Sequence, residues 1–145
     1  MSDPQINKTD RRSFLKWSLL GSTAAVASMA GCASALLSKE NVIVSLACGP
    51  VVYTDASRGG HCRLTATEDF TLTDPHNAAD GQRLIWEITQ DAVGSRKMTL
   101  DKKFAFGTDL TAAVLSTAPH KKDFLTAIYN APLDKWHVVA FIRGY

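Results

Sequence analysis

The chain has 145 residues and a formal net charge of +2, with basic and acidic side chains interspersed. That length allows one domain with a single core and excludes a separate nucleotide-binding module. The near balance of charge excludes a basic stripe for nucleic acid and an acidic surface of the halophilic kind.

The amino-terminal stretch Thr9-Asp10-Arg11-Arg12-Ser13-Phe14-Leu15-Lys16 carries adjacent arginines followed by Phe-Leu-Lys. A mildly apolar run diluted by Gly21, Ser22, Thr23 and Ser28 follows and ends in Met29-Ala30-Gly31-Cys32. A permanent membrane helix wants roughly 20 consecutive apolar residues, and this run is shorter. The pattern resembles a twin-arginine export signal closed by a lipoprotein cleavage box. The residues that carry the likeness are Arg11, Arg12, Phe14, Leu15 and Lys16, with Met29 where the lipobox prefers leucine and small Ala30 and Gly31 before the cysteine. The resemblance implies that residues 1–31 form a removable signal helix. It also implies that Cys32 becomes the first mature residue and carries thioether-linked lipid, and that residues 32–41 are a tether to a domain spanning 42–145.

From Val42 onward the pattern turns to strands. Val42–Cys48 is β-rich and stops at Gly49-Pro50; Val51–Thr54 is a short second run, and Asp55–Gly60 reads as a loop. His61–Thr67 alternates, with Cys62, Leu64 and Ala66 on one face and His61, Arg63 and Thr65 on the other. Phe70–Thr73 alternates again until Asp74-Pro75 breaks it. Gln82–Gln90 places Leu84, Trp86 and Ile88 on one face. Asp91–Ser95 reads as a hairpin turn with Gly94 at positive φ, returning through Arg96–Leu100. Lys103–Phe106 and Thr111–Leu115 are weaker strands. Asp123–Tyr129 and Trp136–Ile142 form a closing hairpin across Asn130–Asp134. No segment sustains a helical period. Short strands with turn signals between them predict an all-β domain, a small antiparallel β-sandwich or jelly roll. Its expected core comprises Leu64, Leu72, Leu84, Trp86, Ile88, Leu125, Ala127, Val138, Ala140 and Ile142.

The order of these stretches resembles a β domain found at the carboxy-terminal end of bacteriophage tail and tail-fibre proteins. The likeness rests on Phe70–Pro75, on Asp80-Gly81-Gln82-Arg83-Leu84, on Gln90–Arg96, and on Lys122–Asn130 with Lys135–Ala140. Ala92 stands where that family's central turn usually has glycine. The resemblance covers Val51–Tyr145 and implies a non-catalytic module for structure or surface recognition.

Little in the chain points to catalysis or metal. His61, His76, His120 and His137 are scattered, and no Cys-x-x-Cys or His-x-x-x-His pair occurs. His61 and Cys62 are neighbours on a strand, so their side chains point to opposite faces. No Gly-x-Ser-x-Gly elbow and no phosphate-cradling loop are present. Glu87 falls on an outer strand face without a carboxylate partner. No cofactor and no metal are expected. If Cys32 is lipidated, Cys48 and Cys62 remain as a pair that could close a disulfide in an oxidising envelope or stay as two buried thiols. Tyr53, Trp136 and Tyr145 are the candidates for a binding surface.

The sequence thus predicts a non-catalytic, lipid-anchored protein of the cell envelope, periplasmic or on the outer surface. Its partners would be the membrane through its lipid, a surface glycan or protein, and copies of itself, with no nucleic acid. The alternatives are a prophage-encoded lipoprotein that modifies the host surface by blocking a receptor, and a small envelope hydrolase or metal carrier.

Overall fold

The computed structural model describes residues 42–145. The stretches expected to be leader and tether, including Arg11, Arg12, Phe14, Leu15, Lys16 and Cys32, lie outside the described residues. Among the described residues nine strands occur in the order β1 Ile43–Ser45, β2 Val51–Val52, β3 His61–Ala66, β4 Phe70–Leu72, β5 Arg83–Gln90, β6 Met98–Leu100, β7 Phe104–Ala105, β8 Lys122–Asn130 and β9 Lys135–Ile142. The only helical piece among the described residues is a 3-10 turn at Ala131–Leu133. The domain is all-β, as its alternating sequence predicts.

The strands build a six-stranded sheet in the order β1-β3-β5-β8-β9-β7 and a three-stranded sheet in the order β2-β4-β6. The chain visits the two sheets alternately three times: β1 then β2, β3 then β4, β5 then β6. Like strands stack in parallel, β1 on β3 on β5 and β2 on β4 on β6. The result is three coils of chain laid one upon the next, the arrangement of a short solenoid. A further parallel bridge, Asp55 with His76, continues the stacking beyond the second sheet, where the His76 amide donates to Thr54 O at 2.9 Å and the Ala56 amide to His76 O at 2.9 Å. Only β5–β8 and β8–β9 are antiparallel. The expected antiparallel domain is therefore corrected to a mixed one: parallel coils closed at one side by a long hairpin.

Period-two alternation explains each coil. Along β3, Cys62, Leu64 and Ala66 are buried while Arg63 and Thr65 are exposed. Register then carries the inward residues from strand to strand, so that Val44, Cys62, Trp86, Leu125 and Phe141 form one row across the large sheet. From the second sheet, Val52, Leu72 and Phe70 meet this row in a common core. Trp86 stands at its centre, edge-on to Phe104 at 5.7 Å and to Trp136 at 6.2 Å. Its Nε1–H donates to the buried Thr54 Oγ1 at 3.0 Å, which satisfies the one polar atom a buried indole brings with it.

Three local expectations are corrected. Asp91–Ser95 does not turn a hairpin: β5 lies in the large sheet and β6 in the small one, and the loop is the corner between them. It is held by Asp91 Oδ1, which accepts from the amides of Val93 and Gly94, and by Arg96, which pairs with Asp91 Oδ2 at 2.7 Å. Gly94 does take a positive φ of 74°. Second, Thr111–Leu115 is not a strand; it pairs with no neighbour among the described residues. Third, Ala140 and Ile142 are not core. A β-bulge opposite Thr126 and Ala127 inserts Val139 as an extra residue, since Ala127 faces Val138 and Thr126 faces Ala140. One inserted residue reverses the face of everything beyond it. Phe141 thus packs on the core, while Ile142 is 49% exposed. The remaining eight expected core residues are buried.

Candidate interaction surface

The outer face of the large sheet carries a concentrated polar cluster. Register sets Ser45, Arg63, Glu87, Phe124 and Ile142 side by side across five strands. Glu87 points away from the core, yet its side chain is only 5% exposed because its neighbours roof it over. Arg63 Nη2 donates to Oε2 at 3.0 Å, and Lys122 Nζ lies 2.6 Å from Oε1. His61 Nε2 lies 3.2 Å from Oε2, at an angle that makes no hydrogen bond. Burial pushes the Glu87 carboxyl upward, but the hydrogen bonds and charges of Arg63 and Lys122 outweigh it and hold the group down at about 2. A carboxylate bound on both oxygens and ionised far below neutrality is an organiser of cations rather than a proton carrier. Apolar side chains flank the cluster: Phe124 meets Tyr145 edge-on at 5.6 Å, and Ile43, Val139 and Ile142 are exposed.

Two smaller clusters lie elsewhere. Lys103 Nζ bridges Asp74 and Asp134 at 3.1 Å each, and Tyr129 Oη donates to Asp134 at 3.0 Å. At the corner of the coils, Tyr53 lies over His76 with ring centroids 6.3 Å apart and planes 17° from parallel. Beneath them Asp55 Oδ1 accepts from Ser57 and Asn77, and those bonds hold its carboxyl below the ordinary range. Among the described residues no three His, Cys, Asp or Glu side chains converge as a metal site.

Of the sequence candidates, Tyr53 and Tyr145 are exposed, at 63% and 66%, just past the ends of β2 and β9. Trp136 is corrected: it is fully buried, packed against Tyr129 at 5.1 Å and Trp86. It opens β9, but its register partner is Tyr129 and its other neighbour is Phe104 of β7, so both sides are covered. Of the two readings left open for Cys48 and Cys62, the structure has the free thiols and not the bridge. Cys62 faces the core between Val44 and Trp86, whereas Cys48 Sγ accepts from the Thr67 amide at 3.4 Å. Thr67 lies just past the far end of β3 from Cys62, ~15 Å along an extended chain. A disulfide needs Cα atoms within about 7 Å. Burial raises the Cys62 thiol to about 11.

Sequence reading placed Glu87, His61 and Arg63 on outer faces but did not join them. The signal was the shared alternation; the missing information was that β3 and β5 lie parallel in direct register. Lys122 reaches Glu87 diagonally from a strand far along the chain.

The segment between β7 and β8 leaves open grooves. One of about 550 Å³ separates residues 95–99 from residues 113–117; another, of about 480 Å³, lies between 114–118 and the stretch containing Arg143 and Gly144. The segment is fastened by the buried Asp123, whose carboxylate accepts from the Ser116 amide at 2.7 Å, the Ser116 hydroxyl at 2.7 Å and the Gly144 amide at 3.0 Å.

Comparison with family models, with curated proteins and with solved structures finds no match to this chain.

Proposed function

We propose that this protein is a non-catalytic recognition or assembly module of the cell envelope, exported through its twin-arginine leader and held by lipid on Cys32. In this reading the two sheets stand as layers of a small sandwich, and the domain works as the phage-tail β domains it resembles do, by presenting a surface to a glycan or protein. One observation carries the reading. The clustered charged side chains are consumed in holding strands together, as around Glu87 and Lys103, while aromatic and aliphatic groups such as Tyr53, Tyr145, Val139 and Ile142 stand out into solvent. Exposed rings beside polar groups suit glycan or protein contact.

Two measurements test the proposal. Mass spectrometry of the protein from cells fed a labelled fatty acid is expected to find an amino terminus at Cys32 bearing lipid; an unprocessed terminus retaining Arg11 and Arg12 would refute the anchor. Glycan-array and surface-protein binding of the purified protein is expected to weaken at least tenfold with Tyr53→Ala or Tyr145→Ala. Binding that neither change affects would refute the surface.

A further inference from the structure

The three-stranded sheet ends in an open edge. In its parallel ladder, Lys97 O accepts from the Phe70 amide and the Asp101 amide donates to Leu72 O. Bonding groups alternate along a parallel strand, so Lys97, Thr99 and Asp101 face β4, and the main-chain groups of Met98 and Leu100 face the other way. Met98 lines the groove of about 550 Å³, and the open edge continues through Leu100.

The opposite wall is also unpaired. Through Ala113, Val114 and Leu115 the exposure alternates, Leu115 being buried and Val114 63% exposed. Among the described residues, no main-chain amide from 107 to 115 donates to another protein group, and the only acceptor engaged is Val114 O, which takes a bond from Arg143 Nη1 at 3.1 Å. Two rows of main-chain donors and acceptors therefore flank one gap, each lacking a partner strand. Such edges are templates for strand addition.

Charge defines the occupant. Arg96 and Lys97 line this groove, Lys121 and Arg143 line the groove of about 480 Å³ beside it, and no Asp or Glu lines either. Arg96 is spent on Asp91, but Lys97, Lys121 and Arg143 make no ion pair among the described residues; Lys121 and Arg143 reach only carbonyls. We propose that the gap between β6 and residues 113–115 is a docking slot for an extended peptide from another protein. The peptide would hydrogen-bond to both walls, present small apolar side chains toward Met98 and Leu115, and present an acidic side chain toward Lys97. This inference stands apart from the lipid anchor and from the tyrosine surface.

The test uses the isotope-labelled full chain and a blocked seven-residue peptide of alternating valine and aspartate. The expected result is saturable change of the Met98, Leu100 and Ala113–Leu115 amide resonances, with slowed hydrogen exchange at those amides. Affinity should fall at least tenfold for the matching valine–lysine peptide and for one N-methylated at alternate positions, and at least threefold with Lys97→Glu, a change on an exposed side chain. Three outcomes overturn the proposal: no change at these amides with millimolar acidic peptide, equal binding of the acidic and basic peptides, or protection that appears without peptide and grows with protein concentration, which would make a second copy the occupant.

Discussion

Lys122 Nζ lies 2.6 Å from Glu87 Oε1 although the two are not register partners; Glu87 faces Phe124, and Lys122 faces Thr89. The lysine crosses two residues diagonally to reach a carboxylate that Arg63 holds from the strand on the other side. The acid thereby ties β3, β5 and β8 together on the side away from the core. Its folded pKa of about 2 lies below the ordinary 4.5, so folding favours the charged form. The stabilisation is complete above about pH 4.5 and drains away as pH falls toward 2. Because Arg63 and Lys122 are partly in water, its size should be about 1–2 kcal/mol. Urea denaturation across this range should show the decline, and Lys122→Met, by letting the folded pKa rise toward 4.5, should make the decline smaller and complete it at a higher pH.

Asp123 is a second acid, fully buried, with three hydrogen bonds and no cation. Asp123→Ala strands the Ser116 and Gly144 donors and frees the segment preceding β8. A loss of ~2–4 kcal/mol in urea unfolding is expected. Hydrogen exchange at Ser116 and Gly144 should rise before global unfolding.

Thr54→Val keeps the shape of the side chain but removes the acceptor for Trp86 Nε1. The cost should be about 1–3 kcal/mol, because an indole N–H is left unpaired in the core. Trp86→Phe in the same background should return part of that loss, a non-additivity measurable in a double-mutant cycle.

Gly94→Ala should be destabilising on two counts. Its φ is 74°, and an added Cβ would stand 2.5 Å from Thr117 O and 2.9 Å from Pro119 N, both main-chain atoms. A loss of at least ~1–3 kcal/mol is expected by thermal unfolding. Gly81→Ala also has positive φ but open space around it, and it should cost less.

The two thiols of the described domain should behave differently. Cys62 is buried, and its pKa of about 11 lies above the ordinary 9.0, so its thiolate is disfavoured. Cys48 is partly exposed. A thiol reagent at pH 8 is expected to label Cys48 in the native protein and Cys62 only after denaturation. A native protein in which neither reacts until reductant is added would contradict the free-thiol arrangement.

Strand existence was legible in the sequence because alternation is local: His61–Ala66 and Arg83–Gln90 show their faces residue by residue. Pairing was not. Nothing in Phe70–Leu72 says that its neighbour is Val51–Val52 on one side and Met98–Leu100 on the other, because parallel partners need no turn between them. Asp91–Ser95 was read as a hairpin turn; Gly94 does take positive φ, but a corner between sheets uses the same residues as a hairpin. Ala140 and Ile142 were misplaced because a bulge leaves the residue pattern apolar on both sides of Val139. Trp136 was misplaced because burial at the start of β9 depends on Phe104 of β7, a two-residue strand with little signal of its own.

The stacked coils have a mechanical consequence. Tension entering from the amino-terminal side of Val42 meets β1 first, a three-residue strand bonded to β3 alone. Such a load peels one layer before it can strain the next, so extension should proceed in steps at low force. The β8–β9 hairpin, embedded between β5 and β7, would yield last.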